Sequence, residues 1–135
     1  MTDPELVGKK IALVETCVRE LRTLARPDEI TTDIREERFV EHTLQIAIQA
    51  ALDVASHIVS DERLGEPQTN RELFRLLAKG GIIASDLAER LERMAGFRNI
   101  LVHGYQIVDV EIVRDVVENH LGDLVEFVAT IRRRP

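Results

Sequence analysis

Phe39-Val40-Glu41-His42-Thr43-Leu44-Gln45-Ile46-Ala47-Ile48-Gln49-Ala50-Ala51-Leu52-Asp53-Val54-Ala55-Ser56-His57-Ile58-Val59 contains neither glycine nor proline and is built mainly from Leu, Ile, Val and Ala. Its apolar residues from Ile46 to Val59 spread over most of a helical circumference. That is the pattern of a helix buried on several sides, not of one with a single apolar stripe. The spacing predicts a long second helix that begins between Asp28 and Asp33, runs to about Ser60, and stands at the centre of a bundle or of a dimer. One row on it stays polar: Glu37, Glu41, Gln45, Gln49, Asp53 and His57 follow each other at intervals of four and form a slowly drifting ridge. Such a ridge suits either a solvent strip or the wall of a cleft, in which case Asp53 and His57, one turn apart, line the cleft and orient each other.

The flanking segments also read as helices. Asp3-Pro4 is an N-cap followed by the favoured first-turn proline, and Val7, Ile11, Val14, Val18, Leu21 and Ala25 recur at spacings of three and four until Arg26-Pro27 stops the run. Asp61 to Asn70, with Gly65 and Pro67, reads as a loop. Thr69 and Glu72 have capping-box spacing for a short third helix through Leu73, Phe74, Leu76 and Leu77, ending at Gly80-Gly81. A fourth helix starts near Ser85, and a last one follows Asp109 as N-cap, with Val113, Val116, Val117, Leu121, Leu124, Val128 and Ile131 on its apolar face. No strand alternation competes. The expected fold is all-α, an up-and-down bundle of four main helices plus one short one, forming a single domain over residues 1–135.

Composition narrows the function. The 135 residues are 44% hydrophobic, which excludes disorder, and hold no apolar run long enough to cross a bilayer. The acidic start Met-Thr-Asp-Pro-Glu does not resemble a secretory signal, so a soluble cytoplasmic protein without membrane association is expected. Cys17 is the only cysteine and His42, His57, His103 and His120 lack the spacing of a zincin pair, so neither an intrachain disulfide nor a metal site is expected. A net charge of −6 excludes an extended, passive grip on nucleic acid. Any RNA would be held in a locally basic cleft. Arg132-Arg133-Arg134 is the one dense basic cluster, and it reads as a solvated helix end that offsets the macrodipole.

The chemistry concentrates in Gly96-Phe97-Arg98-Asn99-Ile100-Leu101-Val102-His103-Gly104-Tyr105. Leu87, Leu91, Met94, Leu101 and Val102 fall within about 60° of one direction on a helical projection, and Arg98 lies about 20° from Leu87. A guanidinium is thus set in an apolar stripe, where it needs a carboxylate such as Glu41 or Asp53, a wet cavity, or a ligand phosphate. His103 projects about 140° from Arg98 on a regular helix. Both reach one phosphate only if Gly104 lets the last turn unwind or if two protomers pool their pairs across a symmetric interface. Asn99, one turn before His103, is placed to orient its imidazole.

Arg98-x4-His103-x-Tyr105 resembles the signature of HepT-like toxins, small all-helical proteins of the HEPN superfamily. The likeness extends to Phe39 through Gln45 with Ala50-x2-Asp53-x3-His57, to Leu76-x3-Gly80, and to Met94-x-Gly96-Phe97-Arg98-Asn99, and so covers nearly the whole chain. The resemblance implies a metal-independent endoribonuclease, the toxin of a type VII toxin-antitoxin pair, that dimerises to complete its cleft. It also implies an MNT-type nucleotidyltransferase antitoxin that uses ATP to attach AMP to Tyr105, and larger hetero-oligomers of the two are compatible with it. In that reading Arg98, His103 and Asn99 are catalytic, Tyr105 is the modified residue, RNA is the substrate and no cofactor is required. Two other functions fit the same residues: a non-catalytic helical module that partners a nucleotidyltransferase, and a nucleotide-binding bundle with Arg98 as phosphate anchor. A hydrolase built on Asp53 and His57 lacks a nucleophile nearby in sequence.

Overall fold

Helix α2, Ile34–Asp61, is the axis of the molecule. The computed structural model describes residues 3–103 and 109–134, with the side chains of residues 102 and 103 outside that description. Asp33 opens α2 by accepting the Arg35 N–H on its carboxylate. From there α2 packs against α1 (Pro4–Leu24), α3 (Asn70–Lys79), α4 (Ser85–His103), α5 (Val110–Asn119) and α6 (Leu121–Arg132). Its Val40, Leu44, Ala47, Ile48, Ala51, Val54, Ala55 and Ile58 are almost wholly excluded from solvent, in line with an apolar pattern that covers most of its surface. Among the described residues there is no strand, and no helix is long and apolar enough to cross a membrane.

Cross-helix contacts fix the up-and-down order. Lys10 near the start of α1 pairs with Asp53 in the second half of α2 at 2.9 Å, so the two helices run antiparallel. Arg75 on α3 stands 3.0 Å from Glu92 on α4, and Arg71 at the start of α3 lies over Gly96 late in α4, so this second hairpin is antiparallel as well. Ile30, buried just after a 3-10 turn at Pro27–Glu29, pins the α1–α2 connection to the core. At the end of α3, a Cβ on Gly80 would come within 2.6 Å of the Leu64 side chain, and Gly81 adopts a φ of +76° that favours glycine.

Three expectations need correction. The last apolar run is two helices, not one: α5 ends at Asn119, His120 leaves the helical region with φ −123° and ψ 0°, and α6 starts at Leu121. Asp115 draws back both the Asn119 amide at 2.7 Å and the His120 ring at 3.0 Å, and Asn119 and Gly122 are poor helix formers. The bundle therefore has six α-helices among the described residues, not four and a short one. Thr69 makes no side-chain cap. Glu72 instead accepts the Gln68 N–H at 2.6 Å, which leaves the capping box half-formed and shifted by one residue. The arginine-rich end is not freely solvated: Arg132 forms a two-pronged pair with Glu15 on α1, and Arg134 bonds Glu62 at 2.8 Å.

Candidate active site

Arg98 and Asn99 sit in the penultimate turn of α4, and His103 is its last residue. Leu87, Leu91 and Met94 on the same face are buried, so Arg98 continues an apolar stripe as its position requires. The side chain is half-buried, and its Nε is shut off from solvent without a hydrogen-bond partner among the described residues. Its Nη1 reaches Asn99 Oδ1 at 3.5 Å, a long and weak contact. Neither carboxylate considered from the sequence pairs with it. Asp53 is taken by Lys10 and by the Gln49 amide at 2.7 Å. Glu41 keeps its own Oε2 buried and without a hydrogen bond among the described residues. A buried guanidinium nitrogen without a partner is costly, and its persistence is a usual mark of a group held ready for a ligand.

The polar ridge of α2 divides into two halves with different surroundings. In its C-terminal half, Asp53 faces α1 through Lys10, and His57 Nε2 accepts the backbone N–H of Asp3 at 2.9 Å. Both residues thus have partners on α1, and the carboxylate and ring serve the α1–α2 seam. In its N-terminal half, Glu41 and Gln45 join Arg38, Phe39, His42 and, across from them, Leu101 of α4 around an open cavity of about 510 Å³. Leu101 lies one turn beyond Arg98. Burial, followed by the neighbouring Glu37 carboxyl, pushes the Glu41 carboxyl up to about 7, with Arg38 opposing the shift. The intervals of four locate this ridge, but spacing carries no sign of which half meets α1 and which borders α4.

A second polar cluster escaped sequence reading. Asp123, buried on α6, accepts from Arg90 Nη1 at 2.6 Å, and Arg90 also pairs with Glu126 at 3.0 Å and Asp86 at 3.4 Å. Asp123 and then Glu126 raise the Arg90 guanidinium above its ordinary value. The signal was present as an aspartate inside the apolar run of the last helix. Arg90 lies on α4 two turns before Arg98 and is fully engaged, whereas Arg98 forms no ion pair among the described residues. Among the described residues no three His, Cys, Asp or Glu side chains gather as metal ligands would. Cys17 is buried on α1, and burial raises its thiol, which leaves it inert.

α4 stays helical through His103, so positions 98 and 103 are about 140° apart around its axis. The described backbone therefore supplies no unwinding before residue 103 that would turn the two positions together. The side chain of His103 and the whole of Tyr105 lie outside the described residues.

Comparison with known proteins places this geometry in a family. Residues 14–131 match the family described as ribonuclease HepT-like. The mRNA nuclease HepT of Shewanella oneidensis is 33% identical over 129 residues, which cover 95% of this chain and 97% of that protein. The tRNA nuclease HepT of Aphanizomenon flos-aquae is 29% identical over 79% of this chain and 74% of its own. The solved structure of a tri-AMPylated Shewanella oneidensis HEPN toxin in complex with an MNT antitoxin superposes with a TM-score of 0.89 at 33% identity, covering 99% of this chain and 100% of that one. With an arginine that forms no ion pair among the described residues and a histidine at the end of the same helix, and with relatives matched along nearly its full length, the chain belongs to the HepT-like ribonuclease family.

Proposed function

We propose that this protein is the ribonuclease toxin of a type VII toxin-antitoxin pair, cleaving RNA in the cytoplasm without a metal ion at a site completed by two copies of the chain. The observation that carries the reading is Arg98: a half-buried guanidinium that pairs with no carboxylate among the described residues, on the helix that ends at His103. Arg98 stabilises the added negative charge of the pentacoordinate phosphorus. His103 takes the proton of the ribose 2′-hydroxyl as its oxygen attacks phosphorus, and a second imidazole protonates the departing 5′-oxygen. Asn99 orients the ring. The products carry 2′,3′-cyclic phosphate and 5′-hydroxyl ends.

Two copies supply two imidazoles and overcome the angle of about 140° between positions 98 and 103. The RNA substrate of the named relatives and the AMPylated complex with an MNT antitoxin support the remaining assignments. Tyr105 is the acceptor: its phenolic oxygen attacks the α-phosphorus of ATP on a nucleotidyltransferase partner and pyrophosphate leaves. The AMP so placed adds bulk and negative charge two residues from His103 and silences cleavage. Toxin and antitoxin then persist as a hetero-oligomer.

Expression without the antitoxin arrests growth, and His103→Ala restores it while leaving the helical circular dichroism unchanged. Arrest that persists in a folded His103→Ala protein would contradict the reading. Mass spectrometry after incubation with the cognate nucleotidyltransferase and ATP should find AMP on Tyr105.

A further inference from the structure

The cavity between the N-terminal half of α2 and the end of α4 has no role in the mechanism above, yet its lining is specific. Phe39, half-buried, offers a ring for stacking. Glu41 presents a carboxyl with one oxygen buried and unbonded, and Gln45, one turn on, presents an amide. Arg38 and His42 are exposed at the rim. Leu101 closes the α4 side three residues after Arg98. Single-stranded RNA is recognised by this combination: bases splayed out of the strand stack on aromatic rings, hydrogen-bond through their edges to polar side chains, and leave their phosphates to arginine. The volume of about 510 Å³ falls in the range of small-ligand pockets and holds a base with its ribose.

We infer that this cavity is a base-recognition subsite for a nucleotide flanking the scissile phosphate, with Phe39 stacking the base, Glu41 and Gln45 reading its edge, and Arg38 holding its phosphate. The inference rests on the nuclease reading for its register relative to Arg98, but the subsite itself is a binding property. A carboxyl that titrates near neutrality retains its proton part of the time, so it donates and accepts, as the Gln45 amide does. Two donor-acceptor groups side by side pair with a base edge that sets a donor next to an acceptor: an amino group beside a ring nitrogen in adenine and cytosine, a ring N–H beside a carbonyl in uracil. The orientation in which the fold holds the two groups decides which of these edges is preferred. The buried, unbonded Oε2 of Glu41 gains its missing partner when such a base enters.

The test uses the full chain and a non-cleavable probe: a fluorescent 2′-O-methyl oligouridine carrying a single A, C or G at successive positions, with Kd read by anisotropy. The expected result is one position at which the base identity changes Kd by at least about fivefold. Glu41→Ala and Gln45→Ala should each flatten that preference. Equal affinity for all bases at every position, or a preference that survives both substitutions, overturns the inference. If Glu41→Ala fails to fold, Gln45→Ala decides, since that side chain is only half-buried. Unmodified RNA of the same sequences is digested in parallel. Base-selective binding without cleavage contradicts the nuclease reading and sustains the subsite, whereas cleavage with flat base affinity removes the subsite and sustains the nuclease.

Discussion

Arg98 and Glu41 are two ionisable groups on facing helices that the fold leaves without each other. A salt bridge between them would be the economical way to bury both, and it is not made. Arg98→Met should therefore leave the stability unchanged or raise it by up to about 1 kcal/mol, because no ion pair is lost and a desolvated nitrogen is removed. The same substitution should cut RNA cleavage by about 100-fold or more. Thermal melting and initial rates on one preparation check both parts. Glu41 adds a pH signature. Its native carboxyl titrates at about 7, above the ordinary carboxylate range, so between roughly pH 4.5 and 7 the folded protein holds a proton that the unfolded chain has released. Stability contributed in this way is present at low pH and is lost as pH rises through that window. Glu41→Gln removes the effect, and its Tm advantage over the wild type should be larger at about pH 8 than at about pH 5. The placement of Arg98 in an apolar stripe could be read directly from helical periodicity. Its lack of a carboxylate could not, because which ridge residue of α2 faces α4 depends on how two helices are rotated in the packed bundle.

Helix boundaries were the part of the fold most open to reading, and the reason is capping chemistry. Asp3, Asp33 and Asp109 each accept backbone N–H groups at the start of α1, α2 and α5, as short polar side chains before a periodic run do. The break at His120 was hidden because the apolar spacing continues across it: Val116, Val117, Leu121 and Leu124 are all buried, so the stripe gives no hint of an interruption. What breaks the helix is a polar cluster around Asp115 and a weak stretch at Asn119 to Gly122, signals that count only once tertiary packing permits the bend. α1 illustrates the converse, a local cost without local compensation. Gly8 lies within it with nothing within 4 Å of where a Cβ would sit. Gly8→Ala should stabilise the protein by about 0.5–1 kcal/mol and raise Tm by a few degrees, with no change in cleavage rate. A fall in Tm would show that α1 is held differently from this description.

Taken whole, the molecule separates its supports from its chemistry. The α1 face of α2 is tied by Lys10–Asp53 and by His57 with Asp3, and α6 is fastened to α1, α2 and α4 through Arg132, Arg134 and Arg90. The end of α4 is left with an arginine that forms no ion pair among the described residues and with an open cavity. On the proposed reading an acidic protein accepts RNA at this place, where Arg98 forms no ion pair among the described residues. Asp53 and His57, set on the ridge beside the chemistry in sequence, belong to the supports, since only the fold reveals that their half of α2 turns to α1. On the proposed mechanism, Arg98 and His103 cleave RNA by internal attack of the 2′-oxygen, without a metal. Incubating the protein with single-stranded RNA in EDTA and identifying the new ends by mass spectrometry tests it most directly. The wild type should yield 2′,3′-cyclic phosphate and 5′-hydroxyl termini, and His103→Ala no cleavage. Cleavage that disappears in EDTA and returns with a divalent metal, or that persists in His103→Ala, would contradict it.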